Sequence, residues 1–123
     1  MQAALVCLEQ DHLRGTFNRS WYAAMQIVTA AVYQILNDQP REGQPNWKHE
    51  NVPFLFESLT KKTKSYEKHR HLIVAMKLLR QQRNNADYAA PDELNMTQEQ
   101  ARTAVQIASK VREAVCSMMD NAR

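Results

Sequence analysis

From Arg19 to Asn37 the chain runs nineteen residues without a proline or glycine, and Ala24, Val28, Ala31 and Ile35 recur along it at i, i+4, i+7 and i+11. That spacing stacks one apolar face of a helix. Met25, Ile27, Val32 and Leu36 widen the stripe until the helix is apolar nearly all round. A segment of this kind is expected at the centre of the protein, as its most buried element, with alanines that let neighbours approach closely. Asn18 precedes it as an N-cap, and Gly15 is expected to separate it from a short opening helix over about Gln2 to Leu13.

The remaining punctuation is sparse, because 123 residues contain only 2 glycines and 4 prolines. "NDQPREGQPN", Asn37 to Asn46, reads as a loop broken by Pro40, Gly43 and Pro45. A short helix is expected over about Val52 to Lys62, with Asn51 as its cap and Pro53 in the tolerated first turn. A longer one over about Tyr66 to Asp87 turns Leu72, Ile73, Met76 and Leu79 inward, and Pro91 stops the helical pattern. The last helix opens at "TQEQ", where Thr97 and Gln100 have the capping-box spacing. Ala104, Ala108, Val111, Val115 and Met118 then form a 4-3-4-3 seam for antiparallel packing. The sum is an all-α, up-and-down four-helix bundle with a short extra N-terminal helix, in one domain spanning 1–123.

Charge and cysteine content narrow the function classes. Sixteen Lys and Arg against thirteen Asp and Glu give a net charge of +3, which permits contact with nucleic acid without demanding it. Cys7 and Cys116 have no CxxC spacing and read as reduced thiols, consistent with a cytoplasmic setting. No stretch approaches the ~18 apolar residues of a membrane span. Two isolated glycines exclude a phosphate-cradling glycine loop. No metal set is legible, and the residues imply no cofactor. "HRH", His69 to His71, reads as a surface pair, because i and i+2 on a helix point apart. Trp21 and Trp47 read as core or subunit-contact anchors. Met118 and Met119 read as core seam or as an exposed partner patch. "KKTKSYEKHR", Lys61 to Arg70, carries five cations around Tyr66. It reads first as a solvated helix start, and otherwise as a stretch able to track phosphates.

The unusual stretch is "RQQRNNADY", Arg80 to Tyr88. Arg80, Arg83 and Asp87 are spaced i, i+3 and i+7 and share a helix face, with Asn84 and Tyr88 along its edge. An Arg83–Asp87 pair has the less favourable order, and an aspartate near a helix C-terminus opposes the helix dipole. Asp87 is therefore expected to serve something beyond its own helix. Arg80, Arg83, Asn84, Asp87 and Tyr88 form the candidate ligand-binding set.

"LLRQQRNNADY" resembles the end of the third main helix of HEPN domains, a nucleotide-binding family of higher eukaryotes and prokaryotes. "NRSWYAAMQIVTAAVYQIL" is similar to that family's first long helix. "WKHENVPFLFESL" resembles its intervening segment, with a histidine before a short helix, and "TQEQARTAVQIASKVREAV" its closing helix. The likeness spans about Arg19 to Met118. It implies a helical bundle that binds RNA or nucleotides, commonly as a homodimer or with a partner protein, as in toxin–antitoxin or defence assemblies. Many members are metal-independent endoribonucleases built on R-x(4–6)-H, in which the arginine steadies the phosphate and the histidine moves protons. Arg83-Asn84 matches the opening of that motif, and Arg83 is the one catalytic candidate it supplies. The histidine position holds Tyr88 counted from Arg83, or Asp87 counted from Arg80. With ordinary pKa values near ~10 and ~3.9, neither serves as a neutral-pH proton carrier. His69 and His71 sit on the order of 20 Å from Arg83 along the same helix; His49 and His12 stay open as contributors. The sequence thus points to an RNA- or nucleotide-binding bundle with a degenerate motif. A non-catalytic interaction subunit and an active endoribonuclease are the alternatives.

Overall fold

A computed structural model describes residues 2–40, 47–88 and 97–121, and side chains within 12–40, 47–84 and 97–121. Its helices are α1 (Gln2–Ala31), α2 (Val52–Lys62), α3 (Tyr66–Tyr88) and α4 (Gln98–Asn121). A π turn, Val32–Leu36, extends α1, and a 3-10 turn, His49–Asn51, leads into α2. The expected all-α bundle is what forms. The separate opening helix does not, because α1 runs straight through Gly15. A glycine in a helix costs only about 1 kcal/mol relative to alanine. Leu13, Phe17 and Trp21, four residues apart, are all buried on the face that crosses it. Their burial, roughly 2 kcal/mol or more for each large side chain, outweighs the glycine.

Helix α1 packs along α4 and α3 and also touches α2, so it is central as expected. It is not buried all round: Tyr22, Ala23, Gln26 and Ala30 are exposed. Trp21, Ala24, Val28 and Val32 meet Phe56 and Leu59 of α2, Met76 and Leu79 of α3, and Val111 and Val115 of α4 in one core. Met118 is buried and Met119 packs against the core, so both methionines belong to the seam. Trp47 also packs on the core, edge-on to Tyr33 with ring centroids 5.2 Å apart. Among the described residues no helix is long and apolar enough to cross a membrane. Cys116 is a free, half-buried thiol; Cys7, Gly43, Pro45 and Pro91 lie outside the described residues or side chains.

The helix ends follow local chemistry. Thr97 and Gln100 form the reciprocal capping box, each backbone N–H donating to the other's side-chain oxygen at 3.1 Å. Asn51 makes no side-chain cap: its backbone is already helical (φ −88°, ψ −15°), whereas a capping residue needs an extended backbone. Asn37 terminates the π turn at φ 53°, a left-handed conformation asparagine tolerates. Helix α2 ends in a Schellman motif. Ser65 N–H donates to Thr60 O at 2.8 Å and Lys64 N–H to Lys61 O at 3.2 Å. Lys64 itself stands at φ 60°, where glycine is the usual occupant.

Candidate nucleic-acid interface

The polar end of α3 is built by three elements far apart in sequence. Arg83 reaches across to α1: Nε donates to Asn18 Oδ1 at 3.3 Å and Nη2 to the Tyr22 hydroxyl at 3.1 Å. Nη1 donates to Asn84 Oδ1 at 3.3 Å on its own helix. The guanidinium carbon also lies 5.5 Å from the centre of the Tyr22 ring, a cation–π distance. Asn18 is thus not an N-cap. It sits inside a continuous helix and its amide oxygen receives the arginine.

His49 joins the same end from the 3-10 turn. Trp21, wholly buried, donates Nε1–H to His49 Nδ1 at 2.9 Å. The Tyr22 ring meets the imidazole edge-on, with centroids 5.4 Å apart. Burial pushes the His49 pKa below 6.5, and the positive charges of Arg83 and then Arg80 push it further in the same direction. At neutral pH the ring is therefore uncharged. Because Nδ1 accepts from Trp21, the single ring proton resides on Nε2. The histidine offers a hydrogen-bond donor, and its one basic nitrogen is already occupied.

Arg80 and Asn84 line a cavity of about 580 Å³ beside α2, together with Lys77, Glu50 and Phe54. The buried Arg80 Nε has no hydrogen-bond partner among the described residues. Lys77 Nζ stands 5.2 Å from the centre of the exposed Phe54 ring at this edge. Arg80, Arg83, Asn84 and His49 therefore converge. The side chains of Asp87 and Tyr88, which complete the set expected from sequence, lie outside the described residues, although their backbones belong to α3.

The whole chain through residue 119 matches the family model of the HEPN domain (residues 1–119). The chain belongs to the HEPN domain family. It is accordingly a helical domain of a nucleotide- and RNA-binding family, at that level of description. Neither the curated proteins nor the solved structures offer a match.

Within this HEPN chain, three members of the site escape a reading confined to Arg80–Tyr88: Asn18, Tyr22 and His49. The available signals were the polar "NRSWY" opening of an otherwise apolar run and the histidine of "WKHENVPF". His69 departs from its expected place on the surface. It is buried at 8% exposure, while His71 is exposed, so the two do point apart. Among the described residues no three histidines, cysteines or carboxylates gather as a metal would require. His12 lies on a different groove, between α1 and α4.

Proposed function

We propose that this HEPN domain binds RNA or a nucleotide through the phosphate groups, at the Arg80–Arg83–His49 end, without the acid–base chemistry of the family's ribonucleases. One observation carries the reading: His49 is held by Trp21 as a neutral Nε2–H donor beside two arginines. A general base must present an unprotonated nitrogen to the 2′-OH, and a general acid must hold a proton it can release. A neutral Nε2–H imidazole does neither. It is suited to donating toward a phosphate oxygen next to guanidinium groups. Asn18, Tyr22 and Asn84 hold the Arg83 fork in place, which lowers the ordering cost of binding. Asp87 and Tyr88 extend the same set by their position on α3.

The test is binding of a single-stranded RNA, followed by fluorescence anisotropy across a salt series. Arg83→Ala is expected to weaken binding by about tenfold or more and to reduce the salt slope by about one. Equal affinity and slope for the variant and the parent contradict the reading. Prolonged incubation with the RNA is expected to give no 2′,3′-cyclic phosphate ends.

A second reading, an interaction subunit within a toxin–antitoxin or defence assembly, draws on the exposed apolar side chains beside the site. Phe54, Val74 and Leu78 are 55%, 68% and 46% exposed, and Val74 and Leu78 stand one turn apart on α3. Pairing of two copies, or docking of a partner protein, would cover them. Light scattering on Val74→Glu/Leu78→Glu tests this: a shift from dimer to monomer supports it, and an unchanged mass for a monomeric parent removes it.

A further inference from the structure

We propose that the outer face of α2 and α3 binds an acidic, amphipathic helix of a partner protein, whose carboxylate enters the cavity at Arg80 and displaces RNA from that end. Phe54, Val74 and Leu78 are all exposed, and Val74 is the barest large apolar side chain among the described residues. The three adjoin one another. Val74 and Leu78 stand one turn apart on α3, and Lys77, three residues from Val74, holds its Nζ 5.2 Å from the centre of the Phe54 ring. The rest of this face of α3 is polar, with Glu67, Arg70 and Gln81 exposed along it. Isolated apolar side chains are ordinary on a surface, whereas an adjoining set rimmed by polar groups marks a contact.

The second, independent observation lies at the edge of this patch. Phe54, Lys77 and Arg80 together line the cavity of about 580 Å³. The Arg80 Nε–H is buried without an acceptor among the described residues. Buried donors are nearly always paired, so the acceptor for this one is expected from outside the chain. The charges say of what kind. Towards the α2–α3 turn the cations on the same surface are matched, Lys61 by Glu57 at 3.4 Å and Arg70 by Glu67 at 3.7 Å. Lys77 and Arg80 have no carboxylate within ion-pair distance among the described residues, although Glu50 lines the same cavity. A carboxylate set against the Nε edge of the guanidinium satisfies the donor and the charge at once.

The apolar patch decides between the macromolecules able to bring an anion here. RNA continuing from Arg83 past Arg80 would meet, beyond Lys77, apolar side chains in place of cations. A helix covers such a strip with apolar residues at i and i+4, the spacing of Val74 and Leu78, and carries an acid at its edge. Because Arg80 belongs to both surfaces, the bound helix excludes RNA; that exclusion rests on the phosphate-binding reading of Arg80.

The experiment selects peptides from a displayed random library on the full chain, then measures a labelled synthetic peptide of the enriched sequence by anisotropy. Enriched peptides are expected to carry two apolar residues one helical turn apart and an Asp or Glu. Replacing that acid by its amide, or testing Phe54→Ser or Arg80→Gln, is expected to weaken binding about tenfold. Phe54 is exposed, so Phe54→Ser should leave the circular dichroism and the RNA affinity of the parent intact. The proposal is overturned if no peptide is enriched, or if the enriched ones bind both variants as well as the parent. It is also overturned if peptide and RNA bind together without displacement, or if Phe54→Ser weakens RNA as far as Arg83→Ala does, which gives the face to RNA. A parent that is dimeric by light scattering, and monomeric only as Val74→Glu/Leu78→Glu, gives the face to a second copy instead. Peptide affinity is read directly, so a parent that fails to bind RNA contradicts the RNA-binding reading while peptide selection still decides this one.

Discussion

The two ends of α3 are polar in different ways. At its C-terminal end the site is assembled from α1, the 3-10 turn and α3, with Arg83 bonded to residues 61 and 65 positions away. At its N-terminal end the lysines come from one contiguous run, and the turn that holds them is closed by hydrogen bonds spanning five residues or fewer. The first end depends on the tertiary fold to exist. The second is a local structure.

Disrupting the core should therefore separate the ends most sharply. Trp21→Ala removes a wholly buried side chain and the donor to His49, and is expected to destabilise the fold by about 3–5 kcal/mol in urea unfolding. Trp21→Phe keeps most of the packing and frees His49 Nδ1, so it should cost less while still altering the ring's titration. Next in size, Arg83→Ala should weaken RNA binding by about tenfold or more, as measured by anisotropy, with only a small effect on the Lys64 turn. At that turn, Lys64→Gly relieves the left-handed lysine and is expected to stabilise the protein by about 1 kcal/mol in the same unfolding assay.

The smallest effect is expected from pH, and it draws on both ends. His49 and His69 have pKa values below 6.5 in the fold, with burial the first cause in each. Above 6.5 the rings are neutral whether the chain is folded or unfolded. As pH falls below that value, the unfolded chain takes up protons first, so stability declines until the folded-state values are passed. Thermal unfolding between pH 7.5 and 5.0 should show this decline, and His49→Gln should reduce it by the C-terminal end's share.

This contrast also explains what was legible from residue order. Apart from the separate opening helix, the helices and the capping box are written in local spacing and are found, and the spacing also places Arg80, Arg83 and Asn84 together at one end of α3. Gly15 misled because its local cost is small beside the burial of Leu13, Phe17 and Trp21, which only the tertiary fold supplies. Asn18 looked like a cap because nothing nearby in sequence reveals an acceptor for an arginine 65 residues away. His49 could be noted as present but not assigned, since its proximity to Arg83 is a product of packing. Its tautomer, which decides between binding and catalysis, depends on one hydrogen bond from a core tryptophan.

The most direct test is therefore a long-range proton–nitrogen NMR spectrum of the His49 ring at pH 7, with and without RNA. The expected spectrum is that of a neutral imidazole protonated at Nε2, with that nitrogen shifting as RNA is added. A ring protonated at Nδ1, or a cationic ring in the RNA complex, would give this HEPN domain the proton carrier denied to it here, and the binding-only account would be wrong.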